Sequence, residues 1–212
     1  MLVPVLYEAM YSRIVEVVMI KKMVVMCVVV FLLCLPVADA CVGKVLRIGA
    51  VNSADGQLLS EMLAIMINER TGSTVNVTLY KSTTELYDAV KAQEVDILIE
   101  NTASAMHILN KPANANLNKA YETVKASYEN EKGLIWLKPF GVLNGNGGEG
   151  RSYTAPVLKV ETVTNFPALP RVIDKLANIL NDEVYAKMVS SVNSGEKPKS
   201  VVRDLLKSKK LI

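Results

Sequence analysis

The apolar positions of this chain alternate between the spacing of strands and the spacing of helices. Residues 45–51, VLRIGAV, form a short apolar run that is typical of a strand. Helical spacing follows in residues 53–72, where apolar side chains recur every three or four positions until Gly72 ends the pattern. Residues 74–80, TVNVTLY, alternate between apolar and polar side chains and predict a second strand.

A second helix and a third strand extend this order to βαβαβ. Ser82 and Glu85 stand three residues apart, as in a capping box, and predict where the helix begins. Residues 94–100, EVDILIE, are apolar on both faces, as expected of a parallel strand covered by helices on both sides. Right-handed crossovers would place the three strands in one parallel sheet, with any ligand crevice at their carboxyl ends.

The second half of the chain predicts a helix, strands and closing helices. Residues 116–133 have the spacing of a helix and lead into an apolar stretch, LIWLKPFGVL, at residues 134–143. Residues 156–163, PVLKVETV, predict a further strand. Two or three helices then close the chain, with Pro170 and Pro198 suited to first-turn positions.

Residues 1–40 carry the pattern of a secretory signal peptide. A short basic region precedes an apolar run at residues 23–35, which is shorter than the roughly 20 residues that a transmembrane helix needs. An Ala-Asp-Ala sequence follows, so we expect cleavage after Ala40. The first eighteen residues lie far upstream of this pattern, which leaves Met19 and Met23 open as alternative starts.

Removal of the leader would leave residues 41–212 with a single cysteine. Cys27 and Cys34 lie inside the predicted leader, so Cys41 has no partner for an internal disulfide and no second thiol for a metal. Cys41 directly follows the predicted cleavage site, which makes a lipid anchor at its thiol the alternative to a soluble exported protein. The formal net charge of +3 is spread along the chain and predicts no nucleic-acid partner.

A glycine-rich stretch, VLNGNGGEGRSYTAP at residues 142–156, interrupts the regular pattern. Its GNGGEG segment superficially fits the phosphate-binding pattern Gly-x-Gly-x-x-Gly. That motif requires a helix immediately after it, whereas a strand is predicted here, so a nucleotide site is not supported. The sequence instead predicts a flexible joint at residues 142–154.

Four segments in sequence order resemble the substrate-binding components of glycine betaine/choline (osmoprotectant) ABC transporters. They are RIGAVNSADGQLLSEMLAIMI, STTELYDAVKAQEVDILIENTAS, GLIWLKPFG and the C-terminal LPRVIDKLANILNDEVYAKMVSSVNSGEKPKSVVRDLLKSKKLI. The resemblance implies an α/β type 2 periplasmic-binding-protein fold with a mostly parallel sheet flanked by helices. Family members continue from the WLKPFG-like segment into a second lobe, whereas this chain returns at once through residues 142–154. We therefore expect residues 41–212 to form a single lobe.

The resemblance also implies where a solute would bind. In the family a quaternary ammonium is held between two lobes by aromatic rings through cation–π attraction. This chain departs from that pattern with Ala54, Asn101 and Ala103, and its single Trp136 lies in an apolar strand that favours core packing. The remaining polar loop positions are the predicted ligand-binding residues: Asn52, Ser53, Ser82, Thr83, Asn101, Thr102 and Ser104. For Ser53 and Ser82, helix capping is the competing interpretation.

No set of residues predicts catalysis or a cofactor. His107 is the only histidine of the chain and has no thiol or second imidazole to act with. Asp96 and Glu100 are four residues apart on one strand, and paired acid–base chemistry would need a cleft between them. Structural roles are therefore favoured for both carboxylates, and we expect no enzyme activity.

Two functions remain open from the sequence. The first is a solute-binding component, or a shortened descendant of one, that takes a small quaternary-ammonium or amino-acid-like solute and works with an ABC permease in the periplasm or cell envelope. The second is a one-lobe interaction module that binds an envelope protein or a second copy of itself. A polar concavity at the carboxyl ends of the first three strands would favour the first, and a large exposed apolar patch the second.

Overall fold

The structure is a computed structural model that describes residues 45–144 and 150–212. The predicted signal peptide, residues 1–40, and the predicted anchor position, Cys41, lie outside the described residues, so both stay predictions. The described residues belong to one unit of the fold.

The first half of the described chain has the predicted βαβαβ order. The elements are β1 (Val45–Val51), α1 (Ala54–Thr71), β2 (Thr74–Tyr80), α2 (Thr83–Lys91) and β3 (Ile97–Asn101). β1 pairs in parallel with both β2 and β3, as the crossover rule predicts. α1 ends at Gly72, whose φ of 69° is the left-handed conformation that favours glycine after a helix.

The second half adds three strands and six helices to this frame. The elements are α3 (Thr102–Ile108), α4 (Leu117–Lys132), β4 (Leu134–Trp136), β5 (Gly141–Asn144), β6 (Arg151–Lys159), α5 (Val160–Asn165), α6 (Leu169–Ile173), α7 (Asp182–Asn193) and α8 (Pro198–Ser208). A 3₁₀ turn, Asp174–Leu176, follows α6. Pro170 and Pro198 stand in the first turns of α6 and α8, as predicted.

The strands form one sheet with the order β2-β1-β3-β6-β4, and β5 also pairs with β6. The α/β class with a mostly parallel sheet and flanking helices is confirmed: within the described residues, β1 to β5 run in one direction and β6 runs against them. β6 runs antiparallel to β3, β4 and β5. The short connection between β5 and β6 accounts for the antiparallel direction of those two strands.

The predicted strand at residues 156–163 is shifted along the chain. β6 extends from Arg151 to Lys159, and residues 160–165 form α5 instead. The strand begins earlier than predicted because its first residues pair with β5, from Asn144 opposite Arg151 to Gly141 opposite Thr154. Much of the range 142–154, where a flexible joint is predicted, is therefore paired strand, and residues 145–149 lie outside the described residues.

Helices cover both faces of the sheet, and each face has its own apolar core. α1, α6, α7 and α8 pack on the face that carries Ile97 and Ile99 of β3. α2, α3 and α4 pack on the face that carries Leu98. This alternation explains why β3 is apolar at three successive positions, Ile97 to Ile99. None of the helices within the described residues is both long and apolar enough to cross a membrane.

Candidate functional site

The carboxyl ends of β1, β2 and β3 lie side by side at one edge of the sheet. Val51 stands opposite Tyr80 in the parallel register, and the N–H of Asn52 donates to the carbonyl oxygen of Tyr80 at 2.7 Å. β3 ends beside them at Asn101. All seven predicted ligand-binding residues therefore fall at this edge, which we call the polar rim and define as residues 52–53, 82–83 and 101–104.

Three rim side chains cap the helices that begin there. The Ser53 hydroxyl accepts from the N–H of Gly56 at 3.0 Å, and the Ser82 hydroxyl accepts from that of Glu85 at 3.2 Å. Asn101 Oδ1 accepts from the N–H of Ser104 at 2.8 Å. Capping is thus the observed role of Ser53, Ser82 and Asn101, each cap contributing about 1 kcal/mol to stability. Three helix N-termini consequently point their partial positive charge at the rim.

The other rim residues differ in how far solvent reaches them. Asn52 is exposed, and its Oδ1 accepts from Gln57 Nε2 at 3.0 Å. Thr83 and Ser104 are half-buried. Thr102 is only 1 % exposed, so its side chain lies within the protein rather than on the rim surface.

Asp55 adds a titratable group that sequence reasoning missed. It lies in the first turn of α1, directly behind the rim, and is half-buried. Burial raises the pKa of the Asp55 carboxyl to about 6. The available sequence signal is an acidic residue two positions after the N-cap candidate Ser53, a pattern that also occurs in ordinary helices.

The buried carboxylate of Glu100 holds the rim residue Asn101 in place. Glu100 is 5 % exposed, its Oε1 accepts from the N–H of Asn101 at 2.8 Å, and its Oε2 accepts from the Tyr87 hydroxyl at 2.8 Å. The Tyr87 and Tyr128 hydroxyls are 2.6 Å apart. Burial, together with the Glu100 charge, raises the pKa values of both tyrosines, so both stay protonated and can donate. Glu100 therefore has a structural role, as its sequence position favoured.

Asp96 directly precedes β3, at the end opposite Glu100, and makes a different contact. Its carboxylate binds Arg47, with Oδ1 2.7 Å from Nη2. Because Asp96 and Glu100 each have their own partners, they do not form a catalytic pair. His107 is exposed in the last turn of α3, and the described residues contain no cluster that could hold a metal ion.

Trp136 packs with Tyr121 and Tyr128 instead of opening onto the rim, whereas the half-buried Tyr80 ends β2 beside it. Trp136 is 2 % exposed and meets Tyr121 and Tyr128 edge to face, with ring centroids 6.1 and 5.5 Å apart. The Tyr121 hydroxyl donates to the carbonyl oxygen of Leu137 at 2.9 Å. Core packing of Trp136 is confirmed, and the described part of the rim presents no ring at Ala54, Asn101 or Ala103.

Part of the chain matches a known protein family. Residues 44–148 match the family model described as the substrate binding domain of ABC-type glycine betaine transport systems. Residues 44–148 therefore carry this family's domain. The family is one of ABC-transporter substrate-binding proteins rather than enzymes, and the match covers three of the four resembling segments; the C-terminal segment, residues 169–212, lies outside it.

Solved structures support the fold. A glycine betaine/carnitine/choline ABC transporter protein matches with a TM-score of 0.70 and 12 % identity, over 79 % of this chain and 98 % of that chain. Apo YehZ from Escherichia coli also matches with a TM-score of 0.70, at 14 % identity, over 80 % of this chain and 100 % of that chain. At such low identity these likenesses speak for the fold alone. No curated protein matches the chain in sequence.

Proposed function

We propose that the chain is the solute-binding component of a glycine betaine-type ABC system and binds its solute at the polar rim. The observation that carries this proposal is the rim itself. Three adjacent strands end together there, and the loops that follow them present polar side chains beside three helix N-termini. Ligands of open α/β sheets bind at the carboxyl ends of the strands.

The solute class that we propose is a small quaternary-ammonium or amino-acid-like zwitterion. Its carboxylate would accept from polar groups near the helix N-termini, where negative charge is favoured. A carboxylate needs donors, and Asn52 Nδ2 and the hydroxyls of Thr83 and Ser104 are not tied to a helix cap, unlike the side chains of Ser53, Ser82 and Asn101, so these three are the better candidates for direct contact.

Binding at one lobe is expected to be weak. A single wall buries only part of a small solute, and effective ligand pockets bury most of the ligand surface. Trp136 is buried and Ala54 offers no ring, so cation–π attraction adds little at the rim. We therefore expect a dissociation constant of about 1 mM or weaker, near −4 kcal/mol.

The hairpin of β5 and β6 supports the proposal that a second lobe is replaced by a short connection. Asn144 stands opposite Arg151, so the two chain ends at this point are neighbours across a ladder of hydrogen bonds. Because closure entropy grows only with the logarithm of loop length, a short connection between such neighbouring ends costs little.

The alternative of a one-lobe interaction module has less support at the rim. The exposed large apolar side chains within the described residues are Val45, Leu79 and Val160, and none belongs to the rim loops. A protein partner at this edge, whether an envelope protein or a second copy, would thus meet a polar surface. We further propose that the partner is an ABC permease and that the protein is exported, with or without a lipid on Cys41.

Titration calorimetry and amide NMR on the processed protein would test the solute. Glycine betaine, choline and a panel of amino acids should bind at about 1 mM or weaker, with the amide shifts centred on Asn52, Thr83 and Ser104. Thr83→Val should weaken binding, and the exposed Thr164→Val, on α5, serves as the matched control. A micromolar constant would show a complete receptor site, and no binding of any solute would favour the interaction module.

A further inference from the structure

A pocket lies at the edge of the sheet opposite the polar rim. β6 ends there at Lys159, which pairs with Leu134 of β4 and lies beyond the amino end of β3. The C-terminal turns of α2 and α4 reach the same edge. The pocket has a volume of about 580 Å³, and its lining includes Tyr87 and the aliphatic side chains of Val90, Leu134 and Val160.

The most unusual group in this pocket is the ammonium of Lys159. Its side chain is only 9 % exposed, although lysine is rarely buried unless it is paired. Lys159 Nζ donates to Gln93 Oε1, and Glu161 Oε2 lies 3.9 Å away, beyond hydrogen-bond distance. An ammonium can donate three hydrogen bonds. Among the described residues, Gln93 Oε1 is the acceptor within hydrogen-bond distance of Lys159 Nζ.

The residue that meets Lys159 is held in a strained backbone conformation. Gln93 has a φ of 62°, the left-handed region, which costs a non-glycine residue about 1 kcal/mol. Its N–H donates to the carbonyl oxygen of Val90 at 3.2 Å, so the conformation ends α2 in a tight turn and directs the amide towards Lys159. Asn110 and Lys210 adopt the same conformation where other helices end, so at Gln93 it serves to orient the amide.

The charges around the pocket favour an anion next to Lys159. Lys91, Lys132, Glu131 and Glu161 also line it, and all four are exposed at its mouth. Exposed charges are screened by water and contribute little, whereas a buried charge interacts strongly. Lys159 therefore dominates, and the approach of the 73 % exposed Glu161 side chain to 3.9 Å shows that a carboxylate has access to its ammonium.

We propose that this pocket binds a small monocarboxylate with a short alkyl chain. The ligand carboxylate accepts hydrogen bonds from Lys159 Nζ and lies on the side of the ammonium that the Glu161 carboxylate approaches. The alkyl chain lies against Val90, Leu134 and Val160. This site is separate from the polar rim, so it does not depend on the proposed solute function.

Butyrate is a suitable probe, followed by amide NMR on the processed protein. We expect saturable shifts at Gln93, Gly133 and Val160 and none from butylamine, whose charge has the wrong sign. Lys159→Met keeps most of the aliphatic stem and should weaken butyrate binding about tenfold or more. Glu161→Gln removes the competing carboxylate and should tighten binding about threefold.

Lys187→Met, at an exposed position on α7, is the matched control and should leave butyrate binding unchanged. Should Lys159→Met fail to fold, the wild-type shift map and Glu161→Gln decide the question. Absence of shifts up to about 50 mM butyrate, unchanged binding in a folded Lys159→Met, weaker binding in Glu161→Gln, or shifts at Asn52 and Thr83 in place of Gln93 would overturn the proposal.

Discussion

Arg47 and Asp96 form a two-pronged ion pair between the beginning of β1 and the residue that precedes β3. Arg47 Nη2 lies 2.7 Å from Asp96 Oδ1, and Arg47 Nε lies 3.0 Å from Asp96 Oδ2. The backbone N–H of Arg47 also donates to Asp96 Oδ2 at 2.9 Å, and the N–H of Asp96 donates to the carbonyl oxygen of Arg47 at 2.9 Å. The contact raises the pKa of Arg47 and holds β3 in register with β1.

Removing this contact should destabilise the fold more than removing a solvated ion pair. Asp96→Ala leaves a backbone N–H and a guanidinium without their acceptor, so we expect a loss of about 2 kcal/mol in urea unfolding. Asp88→Ala breaks the exposed pair with Lys91, whose atoms are 3.3 Å apart, and should cost about 0.5 kcal/mol or less. Equal losses of unfolding free energy in the two variants would show that the Arg47–Asp96 pair stabilises the fold no more than a solvated ion pair does.

The sequence predicted the elements whose signals are local. β1, α1 and β2 were correctly bounded because hydrophobic spacing and Gly72 mark their ends within a few residues. The direction of β6 was not predictable in the same way, because pairing with β3, β4 and β5 is a long-range property. Its first residues, 151–154, resembled a loop until their partner strand was known.

The features of the polar rim also divide into those with local sequence signals and those that depend on long-range contacts. The rim positions followed from strand ends, and the capping roles of Ser53 and Ser82 followed from helix starts. The contact of Glu100 with Tyr87 and Tyr128 joins three elements and leaves no mark in local spacing. Likewise, the apolar spacing of α4 predicted a face that packs into the core. It did not predict that the Tyr128 hydroxyl on that face would contact Tyr87, which donates to the buried Glu100 carboxylate.

Gly56 allows α1 to begin close against the end of β1. A Cβ at this position would lie 1.9 Å from the carbonyl oxygen of Val51, which is backbone and cannot move aside cheaply. Alanine normally favours a helix over glycine by about 1 kcal/mol, but here we expect Gly56→Ala to cost about 2 kcal/mol or more in thermal or urea unfolding.

The matched comparison for this substitution is Gly72→Ala at the other end of α1. No atom lies within 4 Å of a Cβ there, but φ is 69°, so the cost should be about 1 kcal/mol from the left-handed conformation alone. A Gly56→Ala protein that is as stable as the wild type would mean that the rim loop can shift, and the geometry of the polar rim would need revision.

Asp55 should make stability depend on pH. Its folded pKa is raised to about 6 by burial, above its ordinary value, so protonation favours the folded state. The stability that this provides is complete below the ordinary pKa and is lost as the pH rises through about 6. Because the group is half-buried and solvent reduces the effect, Asp55→Asn should gain about 1 kcal/mol over the wild type at pH 8.

The measurement is a pair of urea melts at about pH 4 and pH 8, well on either side of the raised pKa. The gain from Asp55→Asn should shrink at the lower pH, and the exposed Asp88→Asn is the control. An Asp55→Asn protein that loses stability at pH 8 would mean that attraction to the N-terminus of α1 outweighs burial.

The connection between β5 and β6 should tolerate changes that its flanking strands do not. The register of Asn144 opposite Arg151 leaves residues 145–150 to close the hairpin. Deleting two of the glycines, or replacing the stretch with Gly/Ser, changes closure entropy by only about 0.4 kcal/mol, so stability in denaturant should move by less than about 1 kcal/mol. Ser152→Pro, in the paired part of β6 opposite Leu143, should instead cost about 3 kcal/mol, since proline removes a donor and clashes within a sheet. If the deletion costs several kcal/mol as well, the connection contacts the lobe or a ligand, and the proposal that it only bridges neighbouring strands in place of a second lobe would fail.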